Sequence, residues 1–137
     1  MARDKNFITR EINRKLSRIT QLKADNRVLD DQIGDLKQAR NRVAACKRRY
    51  QELQKETTRI IDMKRHWAGT RYNSGQRLLA DVKSKDKQAV RSIDAVLDTL
   101  ERDIGRLERQ RYDNLAVIGT LAKTVNWLRH ELASLVN

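Results

Sequence analysis

Proline is absent from the 137 residues of this chain, glycine occurs 5 times, cysteine once, and aromatic residues make up 4%. Each shortage excludes something. An all-β or α/β domain needs frequent turn residues, and a chain without proline and with so little glycine cannot supply them. Few aromatics work against a wide globular core. A single cysteine, Cys46, rules out a disulfide framework and any multi-cysteine zinc site. No apolar run approaches the ~20 residues of a membrane span. The opening residues, MARDKNFITR, lack the apolar segment of a signal peptide. The length suits one domain or one extended unit.

What the chain does have is charge laid over helical periodicity. Charged residues are 35% of the sequence, with 30 Lys and Arg against 18 Asp and Glu, for a net charge of +12. So much charge suggests disorder unless the 39% hydrophobic residues are periodic. They are. Ile12, Leu16, Ile19, Leu22, Leu29, Ile33, Leu36, Val43, Cys46, Tyr50, Leu53 and Ile60 recur at threes and fours. That stripe predicts one amphipathic helix over about 4–66. Turn-forming residues cluster once, in Trp67-Ala68-Gly69-Thr70 and Asn73-Ser74-Gly75, placing a turn at about 67–75. A second stripe follows from Leu79 and Val82 through Leu97, Leu100, Ile104 and Leu107. It continues through Ile118, Leu121, Val125, Leu128, Leu132 and Leu135, and predicts a helix over about 76–136. The stretch Lys83–Lys87 is its weakest part and a candidate local break.

Two equal helices with one break predict an all-α fold: an antiparallel two-helix hairpin, coiled-coil-like, occupying 1–137 as a single domain. Folding the chain about the turn tests the seam. The residue numbers of Ile12 and Val125, Leu16 and Leu121, Ile19 and Ile118, Leu22 and Leu115, and Ile33 and Ile104 each sum to 137. Leu29 with Leu107, Leu36 with Leu100 and Val43 with Ile93 sum to 136. Asn26 then falls opposite Arg111, a matched polar layer of the kind that fixes register. Two narrow stripes bury little area, so the hairpin is expected to pack with partner helices into a bundle. The expected partner-binding surface comprises Leu115, Val117, Ile118, Leu121, Val125, Trp127, Leu128 and Leu132, where apolar residues occupy more than one side of the helix. Phe7 and Ile8 add to it from the opposing end.

The positive charge is concentrated. Residues 37–72 carry 11 basic and 3 acidic groups, a net +8. The patch comprises Arg40, Arg42, Lys47, Arg48, Arg49, Arg59, Lys64, Arg65 and Arg71, and its field would draw an acidic partner or a polyanion. Tyr50 and Tyr72 are too scattered for a base-stacking platform. Nothing in the sequence resembles a catalytic constellation, a metal site or a cofactor loop. His66 reads as a helix-end or turn histidine, and Cys46 as a small buried hydrophobe on the seam between Val43 and Tyr50. The sequence therefore predicts no enzyme, no cofactor and no metal.

The tripeptide Trp67-Ala68-Gly69 at the midpoint of a proline-free hairpin resembles the turn motif of the WXG family, the helical-hairpin proteins of type VII secretion systems in Gram-positive bacteria. The chain is longer than the usual member. It is most similar to the small α-helical companion, or targeting, proteins encoded with LXG-domain toxins. The likeness spans Leu36 to Cys46, Trp67 to Gly69 and the helix from Arg77 onward. What the resemblance implies is a chaperone-like adaptor that binds the helical N-terminal domain of an LXG-type effector, with a second small helical protein, for export. It implies roles for Trp67 and Gly69 in packing or recognition at the turn. One feature departs from the family: Tyr112 is followed four residues later by Ala116, so the Tyr-x-x-x-Asp/Glu export signal is absent. The chain is thus expected in the cytoplasm or exported with its effector, with no small-molecule substrate. Two alternatives remain: a stalk or chaperone of a flagellar or type III export apparatus, and a basic coiled coil binding nucleic acid, the least favoured.

Overall fold

A computed structural model describes the backbone of residues 2–63 and 70–136 and the side chains of 5–59 and 73–135. Two α-helices account for the described residues: α1, Ala2–Met63, and α2, Thr70–Val136. They pack against each other as an antiparallel hairpin, and the all-α expectation holds. Helix α2 begins at Thr70, so Asn73, Ser74 and Gly75 are helical rather than part of the turn. Helix α2 also runs unbroken through Lys83–Lys87, the candidate for a local break. Exposed lysines there project from the helix without disturbing its backbone hydrogen bonds, and Lys is a good helix former.

The chain divides into two compact units. The first joins Met1–Asp35 to Ile104–Asn137, and the second is Leu36–Asp103. In the first unit Ile12, Ile19, Val125 and Leu128 form one buried cluster, with Ile8, Ile118, Leu121, Ala122 and Leu132 packed against it. Leu22, Leu29, Ile33 and Ile104 are buried as well. In the second unit Leu36, Val43, Ile93, Leu97 and Leu100 are half-buried, and among its described apolar residues only Leu79 is buried.

The seam keeps strict heptad time. On α1 the inward positions are Ile8, Ile12, Lys15, Ile19, Leu22, Asn26, Leu29, Ile33, Leu36, Arg40, Val43, Lys47, Tyr50 and Gln54, each buried or half-buried. On α2 an equally regular series runs from Val90 to Leu132 and takes in Arg111 and Asn114. At four positions the seam therefore uses a polar residue and turns its apolar neighbour outward. Lys15 replaces Leu16, Lys47 replaces Cys46, Gln54 replaces Leu53, and Asn114 replaces Leu115. Cys46 is thus an exposed thiol, not a core residue. Phase decides these cases. A neighbouring residue sits about 100° around the helix, so reaching the seam would require over-winding α1 or α2. A lysine stem, in contrast, can lie along the seam while its ammonium reaches a carboxylate at the edge.

Candidate docking surfaces

Several of the polar seam residues are matched across the hairpin, whereas Lys15 pairs with Glu11 on its own helix. In the first unit Asn114 Nδ2 donates to Asn26 Oδ1 at 2.9 Å, and Asn26 Nδ2 donates to the Arg111 carbonyl at 3.4 Å. The predicted Asn26–Arg111 layer is therefore present, with Asn114 as a member the apolar pattern did not reveal. Arg111 Nε lies 2.5 Å from Asp30 Oδ1 as a charge contact without an aligned N–H. In the second unit Lys47 Nζ meets Asp94 Oδ1 at 2.6 Å and Arg40 Nη1 meets Glu101 Oε1 at 3.2 Å. The two pairs are one heptad apart on each helix, so they repeat one geometry. Tyr50 Oη donates to Asp86 Oδ1 at 2.5 Å. That bond to the carboxylate holds the phenol pKa above its ordinary value, with burial and the Asp86 charge adding in the same direction.

These pairings divide the basic patch. Arg40 and Lys47 are half-buried at the seam and engaged by acids, so they hold the hairpin rather than present charge. Arg42, Arg48, Arg49 and Arg59 are exposed. Lys64 and Arg65 lie outside the described residues, as does the side chain of Arg71. Trp67 and Gly69 also lie outside them. The second unit as a whole carries 17 basic and 9 acidic residues, a net +8.

The apolar surface expected at 115–132 also divides. Val125 and Leu128 are buried in the hairpin core, and Ile118, Leu121 and Leu132 pack against it. They hold α1 and α2 together. Leu115, Val117 and Trp127 remain exposed, Trp127 by 61%. Helical spacing sends these three in different directions: Leu115 and Val117 to opposite flanks of the seam, Trp127 to the outer side of α2. Phe7 and Leu135 are exposed in the same unit. One additional helix cannot cover all three bearings.

Surface depressions are shallow. One in the second unit is lined by Gln54, Lys55, Thr58, Lys83, Asp86 and Lys87, and one in the first by Arg18, Leu22, Asp25, Val28 and residues of α2. Among the described residues no helix is long and apolar enough to cross a membrane. No protein-family model, curated protein or solved structure matches the chain.

Proposed function

We propose that this chain is a non-enzymatic helical adaptor, a targeting chaperone for the helical N-terminal domain of an LXG-type effector of a type VII secretion system. The supporting observation is the spread of Leu115, Val117 and Trp127 over three bearings of α2 while the hairpin seam is already filled by Val125, Leu128 and their neighbours. A helix left apolar on several sides calls for several neighbours. A hetero-oligomer of the hairpin, a cargo domain and a second small helical chain supplies them. The cargo and the export route come from the resemblance of Trp67-Ala68-Gly69 and its flanking helices to the companion proteins of LXG toxins.

The test is co-expression with the product of a neighbouring gene that has a helical N-terminal domain and a toxin-like C-terminus. A stoichiometric complex is expected to co-purify. Trp127→Ala and Leu115→Lys should weaken it while leaving the helical circular dichroism of the free hairpin unchanged, because both side chains point away from the core. A rigid monomer with no affinity for such a domain at micromolar concentration would overturn the adaptor reading.

A further inference from the structure

In an antiparallel pair of helices the seam has two flanks, and in the second unit they differ in chemistry. One flank holds the Lys47–Asp94 and Arg40–Glu101 pairs. On the other flank heptad spacing places Ala39, Cys46 and Leu53 of α1 beside Ala89 and Val96 of α2. Neither alanine is fully buried, Cys46 is exposed, and Leu53 and Val96 are 56% and 48% exposed. A groove of small and apolar side chains therefore lies open along this flank. Its floor is low at the alanines, which lets another backbone come close, and its walls are raised at Leu53 and Val96.

Between Ala89 and Val96 the rim carries charge on its α1 side, and on α2 the same heptad series reach Lys85 and Asp103 beyond the two ends. On α1 the positions adjoining Ala39, Cys46 and Leu53 are Arg42, Arg49 and Glu56, so the stripe runs Ala39, Arg42, Cys46, Arg49, Leu53, Glu56 at alternating threes and fours. This is a second heptad series on the same helix, beside the hairpin seam. Arg42 and Arg49 are exposed, and no ion pair engages them among the described residues. On α2 the corresponding rim positions include Ser92 and Thr99, whose hydroxyls donate to the Gln88 and Ala95 carbonyls of their own helix. They have used their donors, so the two arginines dominate recognition on this flank.

We infer that the groove formed by Ala39, Cys46, Leu53, Ala89 and Val96 docks a third amphipathic helix, apolar at its own seam positions and bearing carboxylates opposite Arg42 and Arg49. The inference rests on the adaptor reading and assigns it a second, separate surface. Charge complementarity selects the occupant. A second copy would bring another unit of net +8 against the arginines. Nucleic acid fits poorly because the groove is apolar, Glu56 ends the basic run, and no aromatic side chain lies on the flank to stack a base. An acidic helix satisfies both the apolar floor and the arginine rim, and a bidentate arginine–carboxylate pair adds orientation. Glu56 fixes the direction, since the partner's carboxylates must face the Arg42–Arg49 side of the groove and not the Glu56 end.

Cys46, the chain's one cysteine, reports occupancy directly. The full chain is titrated with a synthetic four-heptad peptide carrying Leu at its seam positions and Glu beside them, and alkylation of Cys46 by N-ethylmaleimide is followed by mass spectrometry. Saturating peptide should slow alkylation about tenfold, and 0.5 M salt should relieve much of the protection. In the Arg42→Glu/Arg49→Glu variant the Glu peptide should lose its effect and a Lys-substituted peptide should gain it. Ser17→Asp, on the exposed outer side of α1 in the first unit, should change nothing. Equal protection by the Lys peptide on the unaltered chain, by duplex DNA, or by raising the concentration of the chain alone would overturn the inference, as would no protection by any peptide. Protection by the Glu peptide without cargo co-purification would count against the adaptor reading alone. Cargo binding that leaves Cys46 freely reactive and Arg42→Glu/Arg49→Glu silent would count against this groove alone.

Discussion

Asn26 and Asn114, 88 residues apart in sequence, share a side-chain amide hydrogen bond of 2.9 Å across the seam of the first unit. Asn26 is buried and passes its own amide to the Arg111 carbonyl. Sliding either helix by one heptad would set Asn26 against an apolar residue and leave a buried amide unpaired, which costs about 1–3 kcal/mol. Asn26→Ala should therefore lower stability by about that amount in chemical denaturation. Asn26→Leu combined with Asn114→Leu should recover the loss but relax the register, read as a broader distance distribution between spin labels on α1 and α2.

The Tyr50–Asp86 bond gives the second unit a signature at high pH. The Tyr50 pKa is raised in the folded chain, so its contribution to stability is fully present below the unfolded value near 10 and disappears as pH rises through the folded value. Ultraviolet difference titration should show one phenol ionising late. Asp86→Asn should bring that transition down toward the ordinary value, because the carboxylate acceptor and its charge are both removed, and Tyr50→Phe should delete it.

Glycine is not required at three interior helical positions. A Cβ at Gly34, Gly105 or Gly119 would meet nothing within 4 Å, and none has a positive φ. Replacing Gly34 or Gly119 by Ala should raise stability by about 1 kcal/mol each, from lower backbone entropy in the unfolded chain and better helix propensity. Thermal melts of the free hairpin check this. If Gly119→Ala stabilises the free chain yet weakens a partner complex, a partner backbone lies against that turn of α2.

The second unit should be the less protected against hydrogen exchange. Its seam places Arg40, Lys47 and Gln54 where the first unit has Ile12, Ile19 and Ile33, and partly solvated ion pairs stabilise by about 0–1 kcal/mol. Amides of 40–54 should exchange faster than those of 12–33. Lys47→Leu should slow exchange in the second unit, since added apolar burial outweighs one screened pair.

The two helices, their antiparallel pairing and the Asn26–Arg111 layer were legible because hydrophobic spacing and a symmetric fold about the turn encode them directly. The misassigned residues have a common cause. Leu16, Cys46, Leu53 and Leu115 are apolar and stand one place from a polar residue that holds the true heptad phase. Hydrophobicity pointed to the apolar neighbour, whereas backbone geometry chose Lys15, Lys47, Gln54 and Asn114. The acids that make this tolerable, Glu11 for Lys15 and Asp94 for Lys47, differ in visibility. Glu11 is four residues away on the same helix, but Asp94 becomes a partner only once the register is known. The surface expected at 115–132 mixed inward and outward residues for the same reason: an apolar run shows that burial is wanted but not which member faces which neighbour.

The division of the seam also bears on how the chain folds. The polar links of the second unit close over 36, 47 and 61 residues, while the firmly packed first unit is joined by links spanning 85 and 88. Short closures are entropically cheaper, and long ones are recompensed only when dense packing forms behind them. For this hairpin the nearest contacts are the weakest and the strongest tie together the two ends of the described chain. A growing polypeptide can pair its middle segments only loosely, and lasting structure waits for the segment from Ile104 onward to be made.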